Sequence, residues 1–153
     1  MAHTSVVADS AVQQRRLELV FVYGSLKRGM ANHRHLAGAA FAGTAVLRGL
    51  ALFDLGPFPM AVASPEPGDR LWGELYRVNG PQLAALDRFE GAPRLYQRLR
   101  WRLADGQPVW VYVGRPRQVR FVNRIGSGCW GGGRSDLEGH EPASSGCQSQ
   151  GQD

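Results

Sequence analysis

The chain has 153 residues, of which 43% are hydrophobic and 20% charged. This composition is enough for one globular domain with one core, and it excludes the disordered class. The formal net charge is +5, from 18 Lys and Arg against 13 Asp and Glu. The arginines are spread along the chain, which favours a bias in composition over an anion-binding surface. A mild positive field would still attract an acidic small substrate.

Metal, disulfide and membrane signals are weak. The two cysteines, Cys129 and Cys147, lie near the C-terminus, where a disulfide is possible but would not cross-link the core. The close pair His33 and His35 has no further metal ligand nearby. No segment approaches the ~20 apolar residues of a membrane span, and the first sixteen residues lack the apolar run of a signal peptide. We therefore expect a soluble, cytoplasmic protein with no metal and no membrane partner.

The first predicted element is a buried strand. Residues 17–24 (LELVFVYG) form a nearly continuous apolar run of β-branched and aromatic residues, which is typical of a strand covered on both faces. The polar residues 1–16 before it predict a flexible leader.

Two helices are predicted in the middle of the chain. The Ala-rich segment 32–41 predicts a short helix that is closed by Gly43. A second helix has Pro81 in its first turn and ends at Gly91, which favours a left-handed C-terminal stop.

The remaining periodic segments predict strands. These lie at residues 44–55 with a break at Gly49, 60–63, 69–78, 95–103 and 108–113. In the fourth of them Arg98, Arg100 and Arg102 share one face. That face could bind nucleic acid, but a solvated exterior is the interpretation we favour, so no nucleic-acid partner is predicted.

About six strands and two helices indicate an α+β fold. We expect a small mixed β-barrel with short flanking helices, formed by residues 17–124. Residues 125–153 are rich in Gly and Ser and nearly free of apolar residues, so they predict a disordered tail.

The first candidate site is the loop after the buried strand, Tyr23-Gly24-Ser25-Leu26. Glycine at a strand end lets the backbone turn sharply and bring its N–H groups close to a ligand. The loop could therefore hold a carboxylate or an oxyanion, to which Ser25 could add its hydroxyl. An ordinary strand-exit turn is the alternative.

The second candidate is Glu90, on the second predicted helix. It shares a face with Leu83 and Leu86 by three- and four-residue spacing. Burial and the negative end of the helix dipole both oppose ionisation, so the pKa of Glu90 should rise above ~4.3 and allow it to accept and donate a proton. A boundary glutamate paired with Arg94 or Arg98 is the alternative. The neighbouring Asp87 is expected to cap the backbone or pair with an arginine.

Together these motifs resemble a known family. Tyr23-Gly24-Ser25-Leu26 resembles the glycine-loop signature of the gamma-glutamylcyclotransferase-like superfamily, and LDRFEG followed by Tyr96-Gln97-Arg98 resembles its second block. The combination is most similar to the gamma-glutamylamine cyclotransferase branch. The resemblance implies the small barrel, a catalytic Glu90, a substrate-binding loop at residues 23–26, and Tyr96 and Tyr112 in the wall of the site.

The resemblance also implies an activity. The substrate would be a small L-gamma-glutamyl compound whose alpha-amino group attacks its own gamma-carbonyl, giving 5-oxoproline and a free amine or amino acid. Glu90 would act as general acid and base, and no cofactor would be required. A ligand-binding protein without turnover is the alternative. The identity of the released amine and the oligomeric state stay open.

Overall fold

The computed structural model describes residues 16–131, which form an α+β domain. This part of the chain contains one α-helix, α1 (Gly80–Glu90), and two short 3₁₀ turns, His33–Leu36 and Pro116–Val119. Its strands are β1 (Glu18–Val22), β2 (Ala40–Arg48), β3 (Leu50–Asp54), β4 (Pro59–Ala63), β5 (Arg70–Val78), β6 (Gln97–Arg102), β7 (Pro108–Val113) and β8 (Arg124–Ile125).

Strand β1 lies at the centre of a five-stranded sheet with the order β2-β5-β1-β7-β6. It pairs antiparallel with β5 and parallel with β7. Its alternate residues enter two different cores: Phe21 packs in one, and Val20 and Val22 pack in the other. The continuous apolar run is therefore explained by burial on both faces, as predicted.

A second sheet has the order β4-β3-β8. It joins the first through the Gly114 backbone N–H, which donates to the Ala61 carbonyl at 2.8 Å. Helix α1 packs on the core through Leu83 and Leu86. The two sheets and the helix thus surround the exit of β1, where the candidate loop begins.

Helix α1 begins and ends as its sequence predicts. Asn79 and Gln82 form a reciprocal capping box, in which each side chain accepts a backbone N–H of the other at 2.8 Å. Gly91 ends the helix in the left-handed conformation, with φ 67°. These two local signals fix the position of Glu90 at the last turn.

The predicted helix at 32–41 is wrong. Only the 3₁₀ turn His33–Leu36 forms, and β2 begins at Ala40. Gly38 adopts φ 87°, and Ala40 and Phe41 pair with Arg77 and Tyr76 of β5. Pairing with a neighbouring strand has overridden the helical preference of the alanines.

The α+β class is confirmed, but the barrel is not. The described strands form two sheets, of five and three strands, and their edges do not pair with each other. Edge strands β2 and β6 are linked by a side chain, because the Trp101 indole N–H donates to the Arg48 carbonyl at 2.8 Å.

Packing continues beyond residue 124, where the predicted domain ends. Ile125 belongs to β8, the Gly128 carbonyl accepts the Trp72 N–H at 2.9 Å, and Trp130 is buried in the core. The predicted boundary is therefore too early by at least six residues. The rest of the predicted tail, with Cys147, and the predicted leader up to residue 15 lie outside the described residues.

Candidate active site

The loop that follows β1 is held by its carbonyl groups. The Gly24 carbonyl accepts the Lys27 N–H at 3.0 Å, and the Ser25 carbonyl accepts the Asn32 N–H at 2.8 Å. The Asn32 side chain also donates to the Ser25 hydroxyl oxygen at 2.9 Å. Within residues 16–131, the backbone N–H groups of Ser25 and Leu26 donate no hydrogen bond. A fixed loop therefore presents two N–H donors that a ligand can use.

Gly24 is required because the loop after β1 passes very close to β4. A Cβ on this residue would lie 2.7 Å from Cγ of Pro59, the first residue of β4. The loop and β4 therefore pack closer than any other residue type would allow, which explains the glycine without a left-handed backbone.

Tyr23 and Tyr96 anchor the walls of the site. The buried Tyr23 hydroxyl donates to the Tyr112 carbonyl at 2.6 Å and accepts the Ala61 N–H at 3.0 Å. The buried Tyr96 hydroxyl donates to the Pro59 carbonyl at 2.7 Å. Burial is the main cause that raises the pKa of both phenols. Both hydroxyls are thus bound to the backbone, and the rings shape the wall.

Replacing Tyr23 by Phe is expected to lower the free energy of unfolding by about 2 to 3 kcal/mol, because two buried backbone groups lose their partner. Tyr96→Phe is the matched control: it removes one such bond and should cost about 1 kcal/mol. Urea denaturation of both variants measures the difference. If both variants lost the same free energy of unfolding, the two hydrogen bonds described for the Tyr23 hydroxyl would be contradicted.

Tyr112 and Asp87 form a second pair beside the helix. The Tyr112 hydroxyl donates to Oδ1 of Asp87 at 2.7 Å, and Arg98 Nε donates to the same oxygen at 2.7 Å. Burial, and then the hydrogen bond to Asp87, raise the pKa of Tyr112. The prediction that Asp87 pairs with an arginine is confirmed, and Arg98 is not available to Glu90.

Glu90 is partly buried at the end of α1. Among the described residues its carboxylate forms no hydrogen bond and no ion pair, so the alternative of a pair with Arg94 or Arg98 is not observed. Burial raises the pKa of Glu90 to about 7. A carboxyl group with this pKa exchanges protons readily near neutral pH.

A cavity of about 260 Å³ connects these groups. All seven residues singled out in the sequence line it: Tyr23, Gly24, Ser25, Leu26, Glu90, Tyr96 and Tyr112. The other lining residues are Phe21, Val22, Asn32, Phe58, Pro59, Phe89 and Leu95. Sequence reasoning gave none of this second set a role, although Phe89 and Leu95 were detectable as large apolar residues that flank Glu90.

Two further properties concern the part of the chain that the structure describes. It contains no group of three or more His, Cys, Asp or Glu side chains able to hold a metal ion. Its one α-helix is too short to cross a membrane.

Comparison with known proteins assigns the family. The family model described as gamma-glutamyl cyclotransferase, AIG2-like, matches residues 20–132. The bovine gamma-glutamylaminecyclotransferase is 42% identical over 99 residues, which are 58% of each chain. A putative gamma-glutamylcyclotransferase from Vibrio cholerae is 35% identical over 113 residues, which are 73% of this chain and 94% of the relative.

Solved structures agree with this assignment. An AIG2-like protein from mouse superposes with a TM-score of 0.63 at 28% identity, covering 72% of this chain and 87% of that one. An uncharacterized protein from Pyrococcus horikoshii gives a TM-score of 0.64 at 26% identity, covering 80% and 96%. The match spans about three fifths of the length of the bovine and human curated relatives. On its sequence and its fold, the chain belongs to the gamma-glutamyl cyclotransferase, AIG2-like family.

Proposed function

We propose that this protein releases 5-oxoproline and a free amine from an L-gamma-glutamyl amine, with Glu90 as general acid and base. One observation carries the proposal: Glu90 has a pKa of about 7, forms no hydrogen bond or ion pair with residues 16–131, and lines the same cavity as the Ser25–Leu26 loop. The relatives named gamma-glutamylaminecyclotransferase support the choice of an amine.

The loop would bind the glutamyl group. The N–H groups of Ser25 and Leu26 are suited to the alpha-carboxylate of the substrate, or to the oxyanion that develops on the gamma-carbonyl oxygen. The walls of Tyr23 and Tyr96 would keep the glutamyl chain folded, so that its amino group lies against its own gamma-carbon. Because the reaction is intramolecular, this positioning supplies much of the rate.

Glu90 would move the protons. Its carboxylate takes one proton from the alpha-ammonium group, and the free amine attacks the gamma-carbonyl carbon. In the tetrahedral intermediate the new C–N bond has formed, and the attacking nitrogen must lose a second proton. The old C–N bond breaks as protonated Glu90 donates to the leaving nitrogen. The ionised Glu90 carboxylate then takes the second proton from the ring nitrogen and passes it to the released amine. The amine leaves as an ammonium ion, the ring nitrogen keeps one proton, and Glu90 ends ionised as it began.

This route needs no cofactor, because nucleophile and electrophile belong to one substrate. The nearest rival is a protein that binds the same compounds without turnover. In that case Glu90 would contact the ligand and exchange no proton.

A substrate panel tests the proposal. Gamma-glutamyl amines and gamma-glutamyl amino acids are incubated with the protein, and 5-oxoproline is quantified by mass spectrometry. We expect release from at least one gamma-glutamyl amine, and none from the same compound with an acetylated alpha-amino group, which cannot attack. Thermal stabilisation by the unblocked compounds without any 5-oxoproline would establish the rival.

A further inference from the structure

Three large apolar side chains line the cavity without belonging to its glutamyl-binding loop: Phe58, Phe89 and Leu95. Phe89 is 36% exposed and Leu95 is 43% exposed. Only five large hydrophobic residues are this exposed in the described part of the chain, and two of them lie here. Apolar surface concentrated at the opening of a cavity is a feature of binding sites. We call these three side chains the apolar rim.

Each member of the rim has a neighbour that holds it in place. Phe89 stacks on His35 with ring centroids 4.1 Å apart, and Phe58 lies against Tyr96 with centroids 6.4 Å apart. The Leu95 N–H donates to the Gly91 carbonyl at 2.8 Å. Contacts of this kind fix the rim before a ligand arrives, which lowers the entropic cost of binding.

The position of the rim relative to Glu90 indicates what it contacts. Glu90 must reach the nitrogen that leaves, so the bond to the leaving amine lies beside its carboxyl group. Phe89 precedes Glu90 in the chain, and Leu95 follows the Gly91 stop at the same end of α1. Phe89, Glu90 and Leu95 also line the same cavity, so a group carried by the leaving nitrogen can lie against these apolar side chains.

We propose that the apolar rim of Phe58, Phe89 and Leu95 selects gamma-glutamyl amines whose leaving amine carries an extended alkyl or an aromatic group. Among the described residues that line the cavity, Glu90 is the one charged side chain, so the rim recognises its ligand by burial of apolar surface. This inference rests on the proposed function, because it concerns the leaving group of that reaction.

A homologous series of substrates tests the rim. Gamma-glutamyl methylamide, propylamide, butylamide, hexylamide and benzylamide are compared by kcat/KM for 5-oxoproline release. We expect a rise of about two- to fourfold per added methylene until the rim is covered, with the benzylamide among the best. The rise should lie mainly in KM, because burial of the alkyl chain stabilises ground and transition states alike.

Leu95→Ala should lower the hexylamide-to-methylamide ratio of kcat/KM about fivefold. Leu17→Ala is the matched control, because Leu17 is 54% exposed and does not line the cavity, and its ratio should equal that of the parent. If the parent protein turned over every member of the series with the same kcat/KM, the proposed selectivity of the apolar rim would be wrong, and the proposed cyclisation would still stand. If no member of the series released 5-oxoproline, both the proposed function and the proposed selectivity of the apolar rim would be wrong.

Discussion

Glu90→Gln is expected to lower kcat/KM for 5-oxoproline release by about 10³-fold while raising the stability of the folded protein above pH 7. The amide keeps the shape of the side chain and cannot exchange the proton, and general acid–base catalysis contributes ~10²- to 10⁴-fold. Glu66→Gln is the control for activity, because Glu66 is an exposed glutamate outside the cavity. Unchanged release of 5-oxoproline by the Glu90 variant would contradict the mechanism.

The stability gain follows from the sign of the pKa shift. Burial raises the pKa of Glu90 from 4.5 to about 7, so the folded protein binds the proton more tightly than the unfolded chain. Ionisation therefore destabilises the parent increasingly as pH rises from about 4.5 to about 7, and by a constant amount above that. A shift of this size corresponds to about 3 kcal/mol, which Gln would recover at pH 8.5 but hardly at pH 4.5.

The pH dependence of activity has the opposite sign. A general base must be ionised, so kcat/KM should fall as pH drops through about 7. Denaturation curves and rates collected on the same buffers from pH 4.5 to 8.5 measure both effects. A rate that is level across this range would show that a group other than Glu90 limits turnover.

Gly73→Ala is expected to destabilise the fold by about 3 kcal/mol. Gly73 lies in the middle of β5, and a Cβ there would lie 2.4 Å from the Val22 carbonyl oxygen and 2.6 Å from the ring of Phe21. Phe21 is fully buried, so neither neighbour can move without disturbing the central strand. Overpacking in a core costs about 1 to 3 kcal/mol, and an obstructing backbone carbonyl places this site at the upper end.

Gly68→Ala is the matched control for Gly73. Gly68 is exposed, its added Cβ would meet no atom within 4 Å, and its change should stay within about 0.5 kcal/mol. Urea denaturation of both variants gives the comparison. Because Val22 precedes the Tyr23–Leu26 loop, which we propose binds the substrate, the Gly73 variant should also turn over gamma-glutamyl amines more slowly at temperatures where it remains folded. Equal stability of the two variants would contradict the packing described here.

The local parts of the site were predictable from sequence. Helix α1 carries its own start and stop signals at Asn79 and Gly91, and these place Glu90 without help from the rest of the fold. The loop at Gly24 was predictable because the apolar run before it ends abruptly. Each depends on neighbours within a few residues, which is the range over which sequence patterns are informative.

The distant contacts were not predictable in the same way. The parallel pairing of β1 with β7 joins Val20 to Trp110, and no pattern in either strand specifies the other. The hydrogen bond between Tyr112 and Asp87, and the contact of Phe58 with Tyr96, depend on that sheet order. The predicted helix at 32–41 failed for the same reason, because pairing with β5 decides the conformation there.

One contact described by the structure has a consequence for how the protein is made. Lys27, which follows the Tyr23–Leu26 loop, is buried, and its ammonium group donates to the Trp130 carbonyl at 2.8 Å, across 103 positions of the chain. On the ribosome this acceptor emerges more than a hundred residues after the loop. Because domains fold as units, the cavity beside Lys27 is completed only near the end of translation of the domain.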